Sequence, residues 1–235
     1  MNTNRLLTYA LNAEKKLVYI NDVSNGLECN CICPECEQPL IAKNAGNIRE
    51  HHFAHKGDAE CLSGYQTMIH LLAKEIIIEN KILHFFQIAG KPIVARQIAS
   101  EVHLSDLNII PDVFAVASLT ITYGNFASVI RDIPFIIEVF VTHKVDENKA
   151  GIIKNAGIPA VEIDLSKSEA NTKEELIKDI YNPVHWNYIN ETIGQNFIPQ
   201  IKLLNRYNPY PSSYGSGYPK RYKNSGRRLY YRKRR

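Results

Sequence analysis

Two carboxylates in apolar surroundings are the residues of this chain best suited to chemistry. Asp112 follows Pro111 within the apolar segment 109–116, and Glu138 lies in a second apolar segment, 135–141. Both segments are rich in Val, Ile and Phe, the pattern of buried strands. A carboxylate costs free energy when it is buried without a partner. Two carboxylates that meet at one end of a sheet would share a divalent cation, Mg²⁺ or Mn²⁺.

A cation at this place would suit the hydrolysis of phosphodiester bonds. It would lower the pKa of a bound water and stabilise the charge of the transition state. Lys149 or Lys144 would steady the attacking water or the developing charge. We therefore expect a metal-dependent nuclease centred on Asp112 and Glu138. The alternative is that Asp112 caps a turn and Glu138 pairs with a lysine in a stable core.

Cysteine and histidine residues form a second group with metal-binding spacing. Cys33 and Cys36 belong to a C-x2-C turn, which holds two thiolates at the spacing that tetrahedral zinc requires. The second pair of ligands must come from three residues: His52, His55 and Cys61. Cys31 is a further candidate for the first pair. A closed set of four ligands predicts a structural zinc that holds a segment with little apolar mass.

The cysteine pattern also bears on the cellular compartment. Four of the five cysteines fall between residues 29 and 36, and their clustering favours a metal over disulfides in a cytosolic chain. No apolar run approaches the roughly 20 residues of a membrane span, and the N-terminus lacks the apolar stretch of a signal peptide. We expect a cytoplasmic protein with no membrane span. The alternative for the cysteines is an incidental turn beside surface histidines.

Polar residues form a stripe on the clearest predicted helix, residues 63 to about 82. Ser63 is the expected N-cap, and a wide apolar face follows it. Gln66, His70 and Lys74 are spaced four residues apart, so they lie on one side of the helix. The stripe is either the solvated side of an amphipathic helix or the side that faces the two carboxylates.

The other apolar segments predict a mixed α/β sheet flanked by helices. Beyond a hairpin in residues 1–28 that turns at Asn25-Gly26, we expect these elements: strands in 84–101, 109–116, 135–141 and 158–165, and helices at 146–155 and 172 to about 188. The strand–helix–strand unit from 135 to 165 is long enough for a parallel crossover.

The last 30 residues differ in composition from the rest of the chain. They hold ten Lys and Arg and no acidic residue, so the other 205 residues, with 18 basic and 24 acidic groups, carry a net charge of −6. The richness in Gly, Ser, Pro and Tyr predicts disorder. Six basic residues near the end are expected to bind nucleic acid beside stacking tyrosines: Arg227, Arg228, Arg232, Lys233, Arg234 and Arg235. The alternatives are a solubilising tail, an anchor for an acidic partner or a membrane-surface tail.

Several of these motifs resemble the competence protein CoiA-like family. The resemblance rests on Gly26 and the cysteine series after it, the His-His-Phe-Ala-His run, a cysteine six residues later, and His70-x3-Lys74. The family implies a zinc-bearing N-terminal module and a core similar to the PD-(D/E)XK nuclease superfamily. It also implies a restriction-endonuclease-like sheet and a role linked to DNA uptake or recombination. The resemblance extends over roughly residues 20–166.

Carried onto this sequence, the resemblance makes Pro111-Asp112 and Glu138 the residues that bind the catalytic metal. Together with the change of composition near residue 206, we expect three parts: a zinc module at 1–62, a nuclease-like domain at 63–205 and a basic tail at 206–235. The polar stripe with Gln66 and His70 would then line the active site.

Two positions depart from the family pattern. Phe140 stands where the superfamily has a lysine, and Gln66 stands where the family usually has a glutamate. Lys149, or Lys144 as second choice, would supply the cationic group from elsewhere, and Gln66 would orient a metal-bound water without adding charge. The departures define the rival hypothesis, a catalytically degenerate, zinc-containing nucleic-acid-binding protein on a nuclease-like scaffold.

Overall fold

The structure is a computed structural model that describes residues 5–57, 61–88, 90–123 and 127–191. The basic tail predicted from residue 206, with its six proposed nucleic-acid-binding residues, lies outside the described residues. Within the described ranges no helix is both long enough and apolar enough to cross a membrane.

Two short hairpins precede the first helix. Their strands are β1 (Tyr9–Leu11), β2 (Leu17–Tyr19), β3 (Leu40–Lys43) and β4 (His52–His55). Both pairs are antiparallel. Seven buried residues form their core, four of them small or sulfur-bearing. Because this core is small, a metal ion bound by the same segment would add to its stability.

The predicted turn at Asn25-Gly26 is wrong. The first hairpin turns at residues 12–16, where Lys15 takes a positive φ of 59°. Gly26 instead exchanges two backbone hydrogen bonds with Ala42, at 2.9 and 3.0 Å. A Gly-containing pair marks a sharp change of direction, but it does not show which strands that change connects.

Helix α1 (Gly64–Asn80) agrees with the helix that the sequence predicts. Ser63 occupies the N-cap position, although its side chain makes no capping hydrogen bond. The apolar face of α1 is buried in the main core, and Met68 also contacts the N-terminal hairpins, since its sulfur lies 3.3 Å from the backbone N of Tyr9. Helix α1 therefore touches both the N-terminal hairpins and the sheet.

Helix α1 is followed by a hairpin of β5 (Ile82–Ile88) and β6 (Lys91–Val94). The remaining elements are β7 (Gln97–Ser100), β8 (Val113–Tyr123), β9 (Ala127–Phe140), helix α2 (Glu147–Asn155), β10 (Ala160–Asp164), helix α3 (Lys173–Ile180) and β11 (Trp186–Asn190). Five of these strands form the main sheet, in the order β11-β10-β9-β8-β7. The fold is mixed α/β, as predicted.

The parallel crossover predicted from residue 135 to 165 is present. Strand β10 pairs in parallel with β9, and α2 connects them. Asp146 caps α2 by accepting a hydrogen bond from the backbone N–H of Lys149 at 2.8 Å. Gly157 follows the helix with a φ of +67°, a conformation that favours glycine at a helix end.

The helix predicted from residue 172 to about 188 is wrong in its second half. Thr172 and Glu175 form a capping box at its start, but α3 ends at Ile180. Pro183 disfavours helical geometry at Asn182, and the chain then forms β11 at the edge of the sheet.

The two faces of the sheet bury different sets of side chains. One face packs against α1 and α3, with Ile137 and Val139 among its buried residues. The opposite face packs against α2, with Ile136 among its residues. Because side chains alternate along a strand, Glu138 lies on the α2 face of β9.

Candidate functional site

Four of the predicted zinc ligands converge on one point. The ligand atoms of Cys33, Cys36, His55 and Cys61 all lie within 4.8 Å of one another. The sulfurs of Cys33 and Cys61 are 3.9 Å apart, and the Cys36 sulfur lies 3.3 Å from His55 Nε2. Tetrahedral zinc with ordinary bond lengths would place two sulfurs about 3.8 Å apart and a sulfur and a nitrogen about 3.6 Å apart. The four side chains could therefore hold a metal ion such as zinc.

The geometry also selects among the ligands that the sequence left open. His52 lies outside the cluster, and its Nδ1 lies 3.0 Å from the backbone oxygen of Glu50. Cys31 is outside it as well, with its thiol 3.3 Å from the backbone oxygen of Cys29. Burial raises the pKa of the Cys33 thiol to about 12, so a bound cation would be needed to keep it as thiolate.

Helix α1 begins against this cluster. A Cβ built on Gly64 would lie 3.3 Å from the Cys33 sulfur and 3.4 Å from the Cys61 sulfur. An alanine at this position would require the Cys33 sulfur to shift by a few tenths of an ångström. The positive end of the helix dipole faces the thiolates, which favours their charge.

A cleft of about 620 Å³ lies between Glu35 of the cysteine turn, α1, the sheet and the first turn of α2. Its lining includes all six residues predicted to act in catalysis: Asp112, Glu138, Lys149, Lys144, Gln66 and His70. The loop from Thr142 to Asp146, which follows β9, forms another wall. Residues from five separate parts of the chain thus face one volume.

Three carboxylates form a row in this cleft: Glu138 and Glu162 lie in adjacent strands, and Asp112 directly precedes β8 rather than lying in a strand as predicted. Glu138 of β9 is in register with Glu162 of β10. On the other side, Val113 pairs with Ile137, so Asp112 is opposite Glu138, and Asp112 Oδ2 accepts a 2.8 Å hydrogen bond from the backbone N–H of Val139. Residues directly opposite in a sheet have Cβ atoms about 5 Å apart, and like charges in such positions destabilise it.

Each carboxylate of the row has a different partner. His70 Nε2 lies 3.2 Å from Asp112 Oδ1. The Nζ atom of Lys149 lies 2.8 Å from both oxygens of Glu138 and donates to the backbone oxygen of Ile110 at 2.9 Å. Glu162 Oε1 accepts a 2.6 Å hydrogen bond from the backbone N–H of Val145.

Glu138 is the most constrained member of the row. It is 5% exposed, and although Lys149 is close to both its oxygens, only Oε2 has hydrogen-bond geometry. Oε1 is buried and has no hydrogen-bond partner among the described residues. This buried oxygen therefore has the charge of Lys149 beside it but no hydrogen bond among the described residues.

The protein environment shifts the pKa values of the two predicted metal-binding carboxylates, Glu138 and Asp112, in opposite directions. Burial raises the pKa of Glu138 to about 7, and the charge of Asp112 adds to this, while Lys149 opposes it. Burial also acts to raise the pKa of Asp112, but hydrogen bonds from His70 and Val139 outweigh it and the net pKa is lowered. Neighbouring carboxyls with separated pKa values are typical of sites that handle protons or cations.

The predicted polar stripe of α1 divides between two environments. Gln66 and His70 line the cleft. The Gln66 amide is oriented with its nitrogen 3.0 Å from the backbone oxygen of Leu62. Lys74 is buried and forms a 2.6 Å ion pair with Glu101 instead.

The cationic residues differ in how closely they approach the carboxylates. Lys149, the first choice from sequence, contacts Glu138 directly. Lys144 lies on the cleft wall with its Nζ 5.3 Å from the centre of the Phe140 ring, a cation–π contact. The Phe140 ring thus has a cation over its face.

Sequence reasoning missed two acidic residues of the cleft. Glu162 is one of two acids, with Asp164, inside the predicted apolar strand 158–165, and the register of that strand with Glu138 could not be known from sequence. Glu35 lies between two zinc ligands, lines the cleft, and accepts a 2.5 Å hydrogen bond from the Thr67 hydroxyl of α1.

One family model matches the N-terminal part of the chain. Residues 21–64 match the family model described as Competence protein CoiA, N-terminal domain. This segment is therefore similar to that domain. The matched segment contains all four residues of the Cys/His cluster and ends at the first residue of α1. It supports the CoiA-like family, and it ends before the strands that bear the carboxylates. No curated protein and no solved structure matches the chain.

Proposed function

We propose that this CoiA-like protein is a cation-dependent nuclease that hydrolyses phosphodiester bonds of DNA. The observation that carries the proposal is the row of Asp112, Glu138 and Glu162, which has too little positive charge around it. Lys149 supplies one positive charge and His70 a second only when protonated. A divalent cation would balance the row.

The donor set of the row fits Mg²⁺ or Mn²⁺. Carboxylate oxygens are the ligands these cations prefer. Glu138 offers a buried oxygen with no hydrogen-bond partner among the described residues, as a site that binds a cation would. Asp112 is ionised at neutral pH, because its pKa is lowered. When bound, the cation would supply an activated water and neutralise charge on the phosphate.

The remaining cleft residues have roles that follow from their contacts. His70 orients Asp112 through its 3.2 Å contact, and Lys149 holds Glu138 and steadies charge that develops beside it. Lys144, exposed on the cleft wall, is placed to attract the DNA backbone. Gln66 would orient a water from the helix side.

The Cys/His cluster is proposed as a structural zinc site. Four protein ligands leave no open position, which distinguishes a structural from a catalytic zinc. Its contact with Gly64 fixes the start of α1, and α1 presents His70 to the cleft. We propose the division into a zinc module (1–62), a nuclease-like domain (63–205) and a nucleic-acid-binding tail (206–235). The CoiA-like match supports a competence-related role, and we propose that this role is DNA uptake or recombination in the cytoplasm.

A degenerate, DNA-binding protein is the second candidate function. The observation that favours it is the ion pair of Lys149 with Glu138, which is complete without a cation, together with Phe140 and Gln66 at the two departing positions. In that case the cleft would bind DNA through its rim without cleaving it.

The deciding experiment is cleavage of single- and double-stranded DNA with Mg²⁺ or Mn²⁺. Wild type is compared with Glu138→Ala and with Asp132→Asn, which removes a carboxylate from the same strand outside the cleft. The proposal expects cleavage by wild type and Asp132→Asn, and none by Glu138→Ala with its zinc content retained. DNA binding without cleavage by any of the three would support the second candidate.

A further inference from the structure

Glu162 is the one carboxylate of the row to which the proposed nuclease chemistry gives no role of its own. It is 5% exposed, although a glutamate is rarely so buried unless it is paired. Among the described residues it forms no ion pair, and its one hydrogen bond is the 2.6 Å contact from the Val145 N–H. That contact uses Oε1 and leaves Oε2 for another partner.

The position of Glu162 makes its isolation more costly. It stands in register with Glu138, which is equally buried, and the side chains of paired residues point to the same face of the sheet. Lys149 reaches Glu138 but forms no ion pair with Glu162. Two buried acids therefore lie side by side, and Lys149 pairs with Glu138 alone.

We propose that Glu162 is a third cation-binding carboxylate, which binds a divalent metal together with Glu138. This inference rests on the proposed function, since it concerns the same row of carboxylates. The partner oxygens are the buried Oε1 of Glu138 and Oε2 of Glu162. Hard carboxylate oxygens from adjacent strands are suited to Mg²⁺ or Mn²⁺ rather than to a softer metal.

Glu162 also connects the cation to the rim of the cleft. Its Oε1 holds the backbone of Val145, at the end of the loop that carries Thr142, His143 and Lys144. A cation on Oε2 would fix the carboxylate and, through it, the loop. We therefore expect cation binding to slow hydrogen exchange at the Val145 amide.

The competing explanation is that Glu162 only anchors this loop. Glu162→Gln separates the two roles, because its amide oxygen can still accept from Val145 while its charge is gone. Glu162→Ala removes both. Glu79→Gln is the matched control, since it makes the same substitution at an exposed ion pair with Lys173 outside the cleft.

The experiment is titration of the zinc-loaded, full-length proteins with Mn²⁺, followed by electron paramagnetic resonance. We expect Glu162→Gln to bind Mn²⁺ about tenfold or more weakly than wild type, and Glu79→Gln to bind it normally. Equal Mn²⁺ affinity in wild type and Glu162→Gln, with weakened Val145 protection only in Glu162→Ala, would reduce Glu162 to a loop anchor.

Other outcomes separate this inference from the proposed function. If Mn²⁺ binding requires Glu162 but no DNA is cleaved, the third carboxylate is confirmed and the nuclease is refuted. If wild type binds no Mn²⁺ at all, both are refuted. If DNA is cleaved and Glu162→Gln binds Mn²⁺ normally, the nuclease stands and the third carboxylate is refuted.

Discussion

Replacing Glu138 with glutamine should stabilise the cation-free protein while it removes cation binding. The structure places a carboxylate where its charged form is disfavoured, since it is 5% exposed and beside Asp112. Glutamine has the same shape without the charge. Stability gained together with function lost distinguishes a site residue from a residue that supports the core.

The size of the expected stability change follows from the raised pKa of Glu138. Raising the pKa of Glu138 from its usual 4.5 to about 7 corresponds to about 3 kcal/mol, because each pH unit is worth about 1.4 kcal/mol. The folded protein holds this proton more tightly than the unfolded chain. The stabilisation is therefore complete below pH 4.5 and is lost as the pH rises through about 7. Between pH 5.5 and 8 the loss is about 2 kcal/mol.

The assay is thermal and urea unfolding of zinc-loaded protein without added Mg²⁺ or Mn²⁺. At pH 8 we expect Glu138→Gln to be more stable than wild type by up to about 3 kcal/mol, or about 6–12 °C in Tm. This difference in unfolding free energy between Glu138→Gln and wild type should be about 2 kcal/mol smaller at pH 5.5. Added Mn²⁺ should raise the Tm of wild type alone. Glu79→Gln, at an exposed position, should show no such dependence on pH.

One result would refute this reasoning. If Glu138→Gln is less stable than wild type at pH 8, the ion pair with Lys149 outweighs the burial of the charge. Glu138 would then be a structural residue whose lysine partner is sufficient, which is the alternative that the sequence left open. A Tm of wild type that is unchanged by Mn²⁺ would point the same way.

Three further predictions concern other parts of the site. Lys149→Met should weaken DNA cleavage by at least about tenfold, measured as kcat at saturating Mg²⁺, while Lys144→Met should mainly raise KM. Gly64→Ala should lower zinc content, measured by atomic absorption, because its methyl group would press on two ligand sulfurs; an unchanged content would show that the cluster adjusts. Deletion of residues 206–235 should weaken DNA binding and flatten its salt dependence without changing the fold, as judged by circular dichroism; unchanged affinity would contradict the role given to the tail.

The parts of the fold that the sequence predicted well are those with local signals. Helix α1 follows from its apolar periodicity, and the crossover from β9 to β10 follows from an Asp146 cap, a Gly157 stop and two apolar strands. These signals extend over a few residues, so they can be recognised without knowledge of the tertiary structure.

The parts that the sequence did not predict depend on distant partners. The sequence of β11 predicts the end of a helix, and the strand can be recognised only when Pro183 and the free edge of β10 are considered together. The choice of His55 over His52 depends on how β4 lies against the cysteine turn. Glu162 became a site candidate only when its register with Glu138 was known.

Phe140 and Gln66 stand where the resemblance leads us to expect a lysine and a glutamate, and the cleft holds such residues from other elements. Phe140 follows Glu138 by two residues, so both side chains lie on the α2 face, and the first turn of α2 brings Lys149 to Glu138 there. Near Gln66, the turn between Cys33 and Cys36 brings Glu35 to the cleft, where Thr67 of α1 donates a hydrogen bond to it. We therefore expect the arrangement of the cleft to depend on the packing of α2 and of the Cys/His cluster. Loss of a metal from that cluster should disturb the cleft even though the carboxylates themselves remain intact.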